Sequence, residues 1–252
     1  MRLLKWEQLP SDMQTEEVRE YYEILKKKRC GLFFKRAFDV FVSLFMLILL
    51  SPLFLILAIV IKLDSRGPIF YRQERITQYG KTFRIFKFRT MVANADQIGT
   101  QVTVNNDSRI TRVGRFLRKT RLDEISQLID VLRGTLTFVG TRPEVAKYVQ
   151  QYSNEMKATL LLPAGITSEA SIRYKDESKL LDAAGGTADA IYMEKIVPAK
   201  MKYNLHALKS FGFWRDIKIM FMTVFAVLGK DYEDTLNKQE AEEKDKSDEN
   251  GD

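Results

Sequence analysis

Between Val40 and Ile61 the chain runs for twenty-two residues, VFVSLFMLILLSPLFLILAIVI, without one charged side chain. A helix apolar on every face for that length finds no place in the core of a small soluble domain, and at 1.5 Å per residue it covers about 33 Å, the hydrocarbon thickness of a bilayer. The run is read as a membrane segment. A cleavable leader is not expected, because thirty-nine mostly polar residues precede it and no small-residue cleavage site follows. Ser51-Pro52 stands at its centre, where proline removes a backbone donor and predicts a kink, and the Ser51 hydroxyl can satisfy the freed carbonyl. Lys35 and Arg36 precede the run and Lys62 and Arg66 follow it, so both flanks are positive and neither orientation across a bilayer is favoured. A hairpin that enters and returns on the cytoplasmic side fits this better than a straight span. A Pro-kinked single-pass helix stays open as the alternative.

The rest of the chain must be read by its charge. Forty Lys and Arg stand against thirty-three Asp and Glu, a net +7 over 252 residues, but the last twenty-two residues are acidic and conceal the real imbalance. Residues 231–252 carry ten acids and three bases, so what precedes them sums to +14. From Lys62 to Arg121 there are fourteen Lys and Arg and four acids, a +10 stretch that calls for an anionic partner. One cysteine, Cys30, excludes an internal disulfide, and one histidine, His206, excludes a Cys/His metal cluster. His206 has no nucleophile motif beside it and reads as an ordinary surface or boundary residue.

Local patterns place the elements. Residues 10–36 read as an amphipathic helix after a Ser11/Asp12 cap, ending in the basic cluster Lys26 to Arg29, which suits either anionic lipid or plain solvation. Ile69 to Tyr71 and Phe83 to Phe88, around Tyr79-Gly80-Lys81, predict a β-hairpin rich in Arg and Lys. Arg109, Arg112, Arg115, Arg118 and Arg121 recur every third residue; on a helix that spacing drifts round the axis, so only two or three can face one ligand. Leu122 to Leu132 has apolar residues at helical spacing, with Thr120 as its cap and Gly134 as its stop, and predicts one amphipathic helix. Phe211 to Leu228 suits either an interfacial helix with Trp214 at the headgroups or core packing. The acidic tail beyond Asp231 reads as disordered.

The residues that could carry chemistry lie after the +10 stretch. Capping explains one acid at the start of the Leu122 helix but not an adjacent pair, Asp123-Glu124. With Arg118 and Arg121 near a helix start, the ionised form of Asp123 should be favoured and a phosphate held against it, so a carboxylate nucleophile attacking phosphorus is plausible. Val139-Gly140-Thr141-Arg142-Pro143-Glu144 offers a guanidinium for bidentate contact with phosphate. A G-x-x-x-x-G-K-[ST] loop and a G-x-G-x-x-G turn are absent, which disfavours nucleotide enzymes of those classes.

Three ordered blocks together resemble the bacterial sugar transferases, the monotopic polyprenyl-phosphate phosphoglycosyl transferases. The first is Lys35-Arg36-Ala37-Phe38-Asp39 leading into the run broken at Ser51-Pro52. The second is Gly67-Pro68-Ile69-Phe70-Tyr71-Arg72-Gln73-Glu74-Arg75 with Phe86-Lys87-Phe88-Arg89-Thr90-Met91. The third is Gly114 to Thr120, Leu122-Asp123-Glu124, Gln127-Leu128 and Gly140 to Glu144. The resemblance spans about residues 35 to 230. It implies an α+β, mainly helical, membrane-associated monotopic protein with a re-entrant helix-break-helix, a small β-hairpin and interfacial amphipathic helices. The implied organisation is an amphipathic extension (1–36), a re-entrant membrane helix (37–62), a cytoplasmic catalytic domain (63–230) and a disordered acidic tail (231–252).

The implied activity is transfer of a sugar-1-phosphate from a UDP-sugar to undecaprenyl phosphate at the bacterial inner membrane, the first membrane step of polysaccharide or glycoconjugate assembly such as capsule or exopolysaccharide. UMP is released through a covalent aspartyl-phosphosugar intermediate. By the same resemblance Asp123 is the nucleophile and Glu124 its partner, Arg118 and Arg142 hold phosphates, and Mg2+ lies at Asp123 and the diphosphate. Pro143, Lys87 and Arg89, from the matched blocks, are carried as substrate-binding. The expected partners are the UDP-sugar, the lipid phosphate and membrane lipids, with a homodimer open and no nucleic acid. The chain departs from the family pattern at Ser126, Asp130, Thr141 and Pro163 to Ser168. A competing reading, a single-pass protein with a basic domain for nucleic acid or anionic lipid, explains the charge but leaves the acid pair and the Gly-Thr-Arg-Pro segment without a purpose.

Overall fold

A computed structural model of the chain describes Met1 and residues 3–95, 107–174 and 188–227. The expected acidic tail lies outside the described residues. The architecture is α+β and mostly helical, with two small two-stranded sheets.

The apolar run forms two helices. α2 spans Arg29–Leu49 and α3 spans Ser51–Asp64; they meet at 61°. Proline sits in the first turn of α3, where its missing N–H costs nothing, and Ser51 Oγ donates to the Ile48 carbonyl at 2.8 Å. The predicted break is therefore in place. No single described helix is long and apolar enough to cross a membrane, and this bent pair meets that test only jointly. Phe41, Phe45, Ile48, Leu55, Ile56 and Ile59 are all more than half exposed on its outer surface.

The N-terminal expectation needs correction. α1 covers only Glu16–Lys27, capped by Thr15, whose Oγ1 accepts from Val18 N; Ser11–Met13 is a separate 3-10 turn, and helix resumes at Arg29 as the start of α2. Nor is α1 a solvated arm. Val18, Tyr21, Tyr22 and Leu25 are buried in one cluster with Leu161, Leu208 and Phe211, and the Tyr79 hydroxyl accepts from Leu4 N at 2.9 Å. Within the basic cluster, Lys28 Nζ donates to the Phe211 carbonyl and Lys26 pairs with Glu23.

The hairpin is as predicted: β1 (Phe70–Ile76) pairs antiparallel with β2 (Thr82–Phe88), Phe70 opposite Phe88. The alternation of β2 sorts its side chains. Phe83 and Ile85 bury against Val131, Leu136 and Ala164, and Lys87 continues the same face. Phe88, on the other face, packs with Leu57 and Ile61 of α3 and with Leu117. α4 (Arg112–Lys119) lies beside α3, with Thr111 Oγ1 accepting from Gly114 N and Asp64 Oδ2 accepting from Val113 N at 3.1 Å.

The predicted Leu122–Leu132 helix is two pieces, a 3-10 segment over Leu122–Gln127 and α5 over Leu128–Arg133. Thr120 is not its cap. Its hydroxyl turns back onto the Phe116 carbonyl at 2.9 Å, closing α4, and Arg121 adopts left-handed φ of 57° before the new turn begins. Gly134, at φ 86°, stops α5 as expected. β3 (Leu136–Val139) pairs in parallel with β4 (Ala164–Thr167). Short helices α6 (Ala146–Val149), α7 (Glu169–Arg173) and α8 (Ala188–Ile191) follow in order, and α9 (Val197–Lys209) leads into α10 (Phe213–Val227). α10 packs into the body on one side, as the core alternative expects: Ile219 and Met222 are buried against Val139 and Ile172, while Trp214 and Phe221 are 80% and 63% exposed.

The first matched block works as a joint. Lys35 pairs with Asp216 of α10. Arg36 donates to the Val131 and Leu132 carbonyls at the end of α5 (2.6 and 2.9 Å). Asp39 accepts from Thr137 Oγ1 of β3 at 2.7 Å. Three charges on one stretch of α2 thus tie the bent pair to three elements of the body.

Candidate active site

Asp123 and Glu124 sit on the 3-10 segment between α4 and α5, against the end of β2. Glu124 is gripped from two sides: Lys87 Nζ lies 3.0 Å from Oε1, and Arg142 Nη2 lies 2.6 Å from the same oxygen. Arg142 reaches it because β3 ends at Gly140, whose N–H donates to the Thr167 carbonyl, while Gly165 N–H donates to Thr141. The two glycines touch: a Cβ on Gly165 would lie 2.2 Å from Gly140 N. This crossing aims the Arg142 guanidinium at Glu124.

Asp123 is buried at 9% exposure, and its Oδ1 has no hydrogen-bond partner. A buried carboxylate oxygen left bare costs on the order of 1 to 3 kcal/mol, so its retention marks an atom kept for something other than stability. Arg118 is directed inward from α4, its Nε donating to Thr90 Oγ1 at 2.9 Å, and its charge acts on Asp123. Here the sequence expectation is overturned. Burial first, and the neighbouring Glu124 charge second, outweigh Lys87, Arg118 and Arg121, so the Asp123 carboxyl titrates above its ordinary value. Glu124 goes the other way. Burial opposes its charge, but Arg142 and Lys87, by charge and hydrogen bond, hold it well below the usual carboxylate range.

Lys87, Arg118, Asp123, Glu124 and Arg142 are thus brought together from β2, α4, the 3-10 segment and the loop after β3. Arg89 is not. It is buried, and its guanidinium donates to the carbonyls of Ser65 (2.6 Å) and Arg66 (3.1 Å) and to Ser65 Oγ, closing the C-terminal end of α3. Pro143 is buried and makes no polar contact with the pair. Asp130 accepts from Phe86 N at 2.8 Å and so anchors α5 to β2.

Three further residues shape the site without a role that local pattern assigns them. Thr90 positions Arg118, and nothing in a sequence pairs positions 28 apart. Gln127, fully buried with an unpartnered Nε2, lies one turn beyond Asp123. Gly114 did leave a signal, a glycine inside a helix; a Cβ there would lie 2.0 Å from the Thr90 carbonyl oxygen. Among the described residues no group of three or more His, Cys, Asp or Glu is arranged to hold a metal.

Chemically, a bare carboxylate oxygen ringed by one lysine and two arginines can attack an electrophilic phosphorus or share a cation with a bound phosphate. Fold and site together define an α+β protein whose cation-flanked carboxylate pair is packed beside an apolar, sharply bent helix pair. Residues 30–230 match the family model described as Bacterial sugar transferase, and the chain belongs to that family. It is 34% identical over 199 residues to a UDP-N-acetylgalactosamine-undecaprenyl-phosphate N-acetylgalactosaminephosphotransferase of Aeromonas hydrophila, covering 78% of this chain and 44% of that one. It is 37% identical over 196 residues to the UDP-glucose:undecaprenyl-phosphate glucose-1-phosphate transferase of Escherichia coli (76% and 39%). To the Caulobacter vibrioides protein of that same description it is 35% identical over 200 residues (78% and 70%). The chain therefore spans about two fifths of the length of the first two relatives and most of the third.

Proposed function

We propose that this chain transfers a sugar-1-phosphate from a UDP-sugar to undecaprenyl phosphate through a covalent intermediate on Asp123. The observation that carries the reading is the unpartnered Asp123 Oδ1, buried beside a Glu124 already neutralised by Lys87 and Arg142. In the first step a carboxylate oxygen of Asp123 attacks the phosphorus that bears the sugar; an O–P bond forms, the diphosphate bridge breaks, and UMP leaves. In the second, a phosphate oxygen of the lipid attacks that phosphorus and Asp123 departs as a carboxylate. Arg118 and Arg142 hold the negative oxygens through both steps, and Glu124 orients the two cations that flank it. The relatives' names supply the donor and acceptor classes.

Mg2+ fits this site in one form only. Glu124 is occupied by cations, so the ion would be held by Asp123 together with the donor's own diphosphate oxygens, as is usual for a cation that takes few protein ligands. When bound it would offset the charge that develops on the departing UMP.

The same reading sets the bent pair α2–α3 into the cytoplasmic face of a bacterial inner membrane as a re-entrant hairpin, with the body in the cytoplasm. Its support is the 61° break at Ser51-Pro52, the outward apolar side chains and the basic flanks. The decisive experiment is UMP release by full-length protein in detergent against a panel of UDP-sugars. Wild type should release UMP and Asp123→Asn should release none; turnover by that variant at the wild-type rate would remove the covalent step.

A further inference from the structure

Among the described residues three buried side-chain atoms lack a hydrogen-bond partner, and two of them, Asp123 Oδ1 and Gln127 Nε2, lie in the one 3-10 segment Leu122–Gln127. The third, Arg89 Nε, belongs to a guanidinium whose other nitrogens are engaged. Gln127 is 1% exposed. An amide N–H sealed from water with nothing to donate to is as costly as a bare carboxylate oxygen, and packing gives no reason for a single segment to keep both.

The helix type places the amide. In a 3-10 turn side chains three apart eclipse, so Gln127 lines up with Glu124, while Asp123 lines up with Ser126, whose Oγ donates to the Asp123 carbonyl at 3.4 Å. Four positions further on, Val131 of α5 buries against Phe83 and Ile85, the face of β2 that ends in Lys87. Gln127 therefore stands between the cation-gripped Glu124 and an apolar core. Lysine and arginine only donate, hydrocarbon does not accept, and Glu124 Oε1 is already taken by both Lys87 and Arg142.

One group satisfies a bare acceptor and a bare donor together. A phosphoryl esterified to Asp123 Oδ1 turns that atom into a bridging oxygen and carries non-bridging oxygens one bond further out, which accept. We infer that Gln127 is a catalytic hydrogen-bond donor: its Nε2–H binds a non-bridging oxygen of the phosphoryl group in transit through both displacements, and the proton stays on nitrogen throughout. The inference rests on the proposed activity and adds a neutral donor to the three cations of the site.

The test compares full-length wild type in detergent with Gln127→Met, similar in length but without a polar hydrogen, and with Gln127→Glu, which keeps the shape and offers an acceptor. The kcat for UMP release should fall on the order of a hundredfold in both, with the KM for the UDP-sugar unchanged. The thermal midpoint of Gln127→Met should equal or exceed that of wild type, because the methionine removes an unsatisfied amide. An unchanged kcat overturns the inference, and so does a lowered midpoint in Gln127→Met, which would make the amide a structural contact. Orthovanadate, a phosphoryl mimic, supplies a readout independent of turnover: it should raise the midpoint of wild type more than that of Gln127→Met. Equal shifts refute the donor, whereas unequal shifts in a protein that consumes no UDP-sugar would uphold it and reject the proposed activity instead.

Discussion

Asp123 and Glu124 are adjacent carboxylates driven apart by their surroundings. Asp123 is raised by burial and by its neighbour; Glu124 is lowered by two cations despite burial. If Asp123 must be ionised to attack, activity is lost as pH falls through a value above the ordinary aspartate pKa of about 3.9. The acid limb of kcat/KM should therefore lie higher than that, and a limb at or below it would contradict the effect of burial. Stability falls in the same direction at Glu124, but over a lower pH range. A depressed folded-state pKa contributes stability that is complete above the unfolded value of about 4.3 and fades as pH drops through the folded one. Glu124→Gln should cost roughly 2 kcal/mol at pH 7, a modest figure because Arg142 is about a third exposed. The difference from wild type should narrow only below about pH 4, as read by thermal unfolding in detergent.

At the scale of elements, the site depends on how closely α4 approaches the strand of residues after β2. Helix propensity alone says that Gly114→Ala stabilises α4 by about 1 kcal/mol. The structure says the reverse, because the new methyl would overlap the Thr90 carbonyl, and Thr90 is also the residue that holds Arg118. We expect Gly114→Ala to destabilise by about 1 to 3 kcal/mol and to lower kcat/KM with it; a variant more stable than wild type and fully active would show that α4 is not seated as described. Arg89 acts at the same scale. Its four carbonyl and hydroxyl partners, Ile61 among them, fix where α3 ends, and so where Asp64 meets α4.

For the whole molecule, the segment before the family-matched region is part of the core. Leu9, Met13, Val18, Tyr21, Tyr22 and Leu25 are each at most 4% exposed and share a cluster with Leu161 and Leu208. At about 1.5 to 3 kcal/mol per buried large side chain, their removal is comparable with the whole 5 to 15 kcal/mol that typically holds a domain together. Deleting residues 1–28 should leave a body that limited proteolysis degrades, although every residue of 30–230 is retained; a resistant fragment would show that the extension is dispensable. The hairpin makes a second whole-molecule prediction. With Cys30 replaced by serine, single cysteines at Glu7 and Arg66 should be labelled from the same side of the membrane, and labelling from opposite sides would restore the single-pass alternative. The chain's own order of residues determined the break at Ser51-Pro52, the β-hairpin, the stop at Gly134 and the acid pair, because proline, alternation, a left-handed glycine and adjacent charges act within a few positions. Tertiary structure alone decided that Arg89 closes a helix instead of facing substrate, that the segment holding Asp123 is 3-10, and that its carboxyl is raised. Those outcomes depend on which groups are buried together across tens of residues, and burial is a property of the packed chain that no local pattern carries.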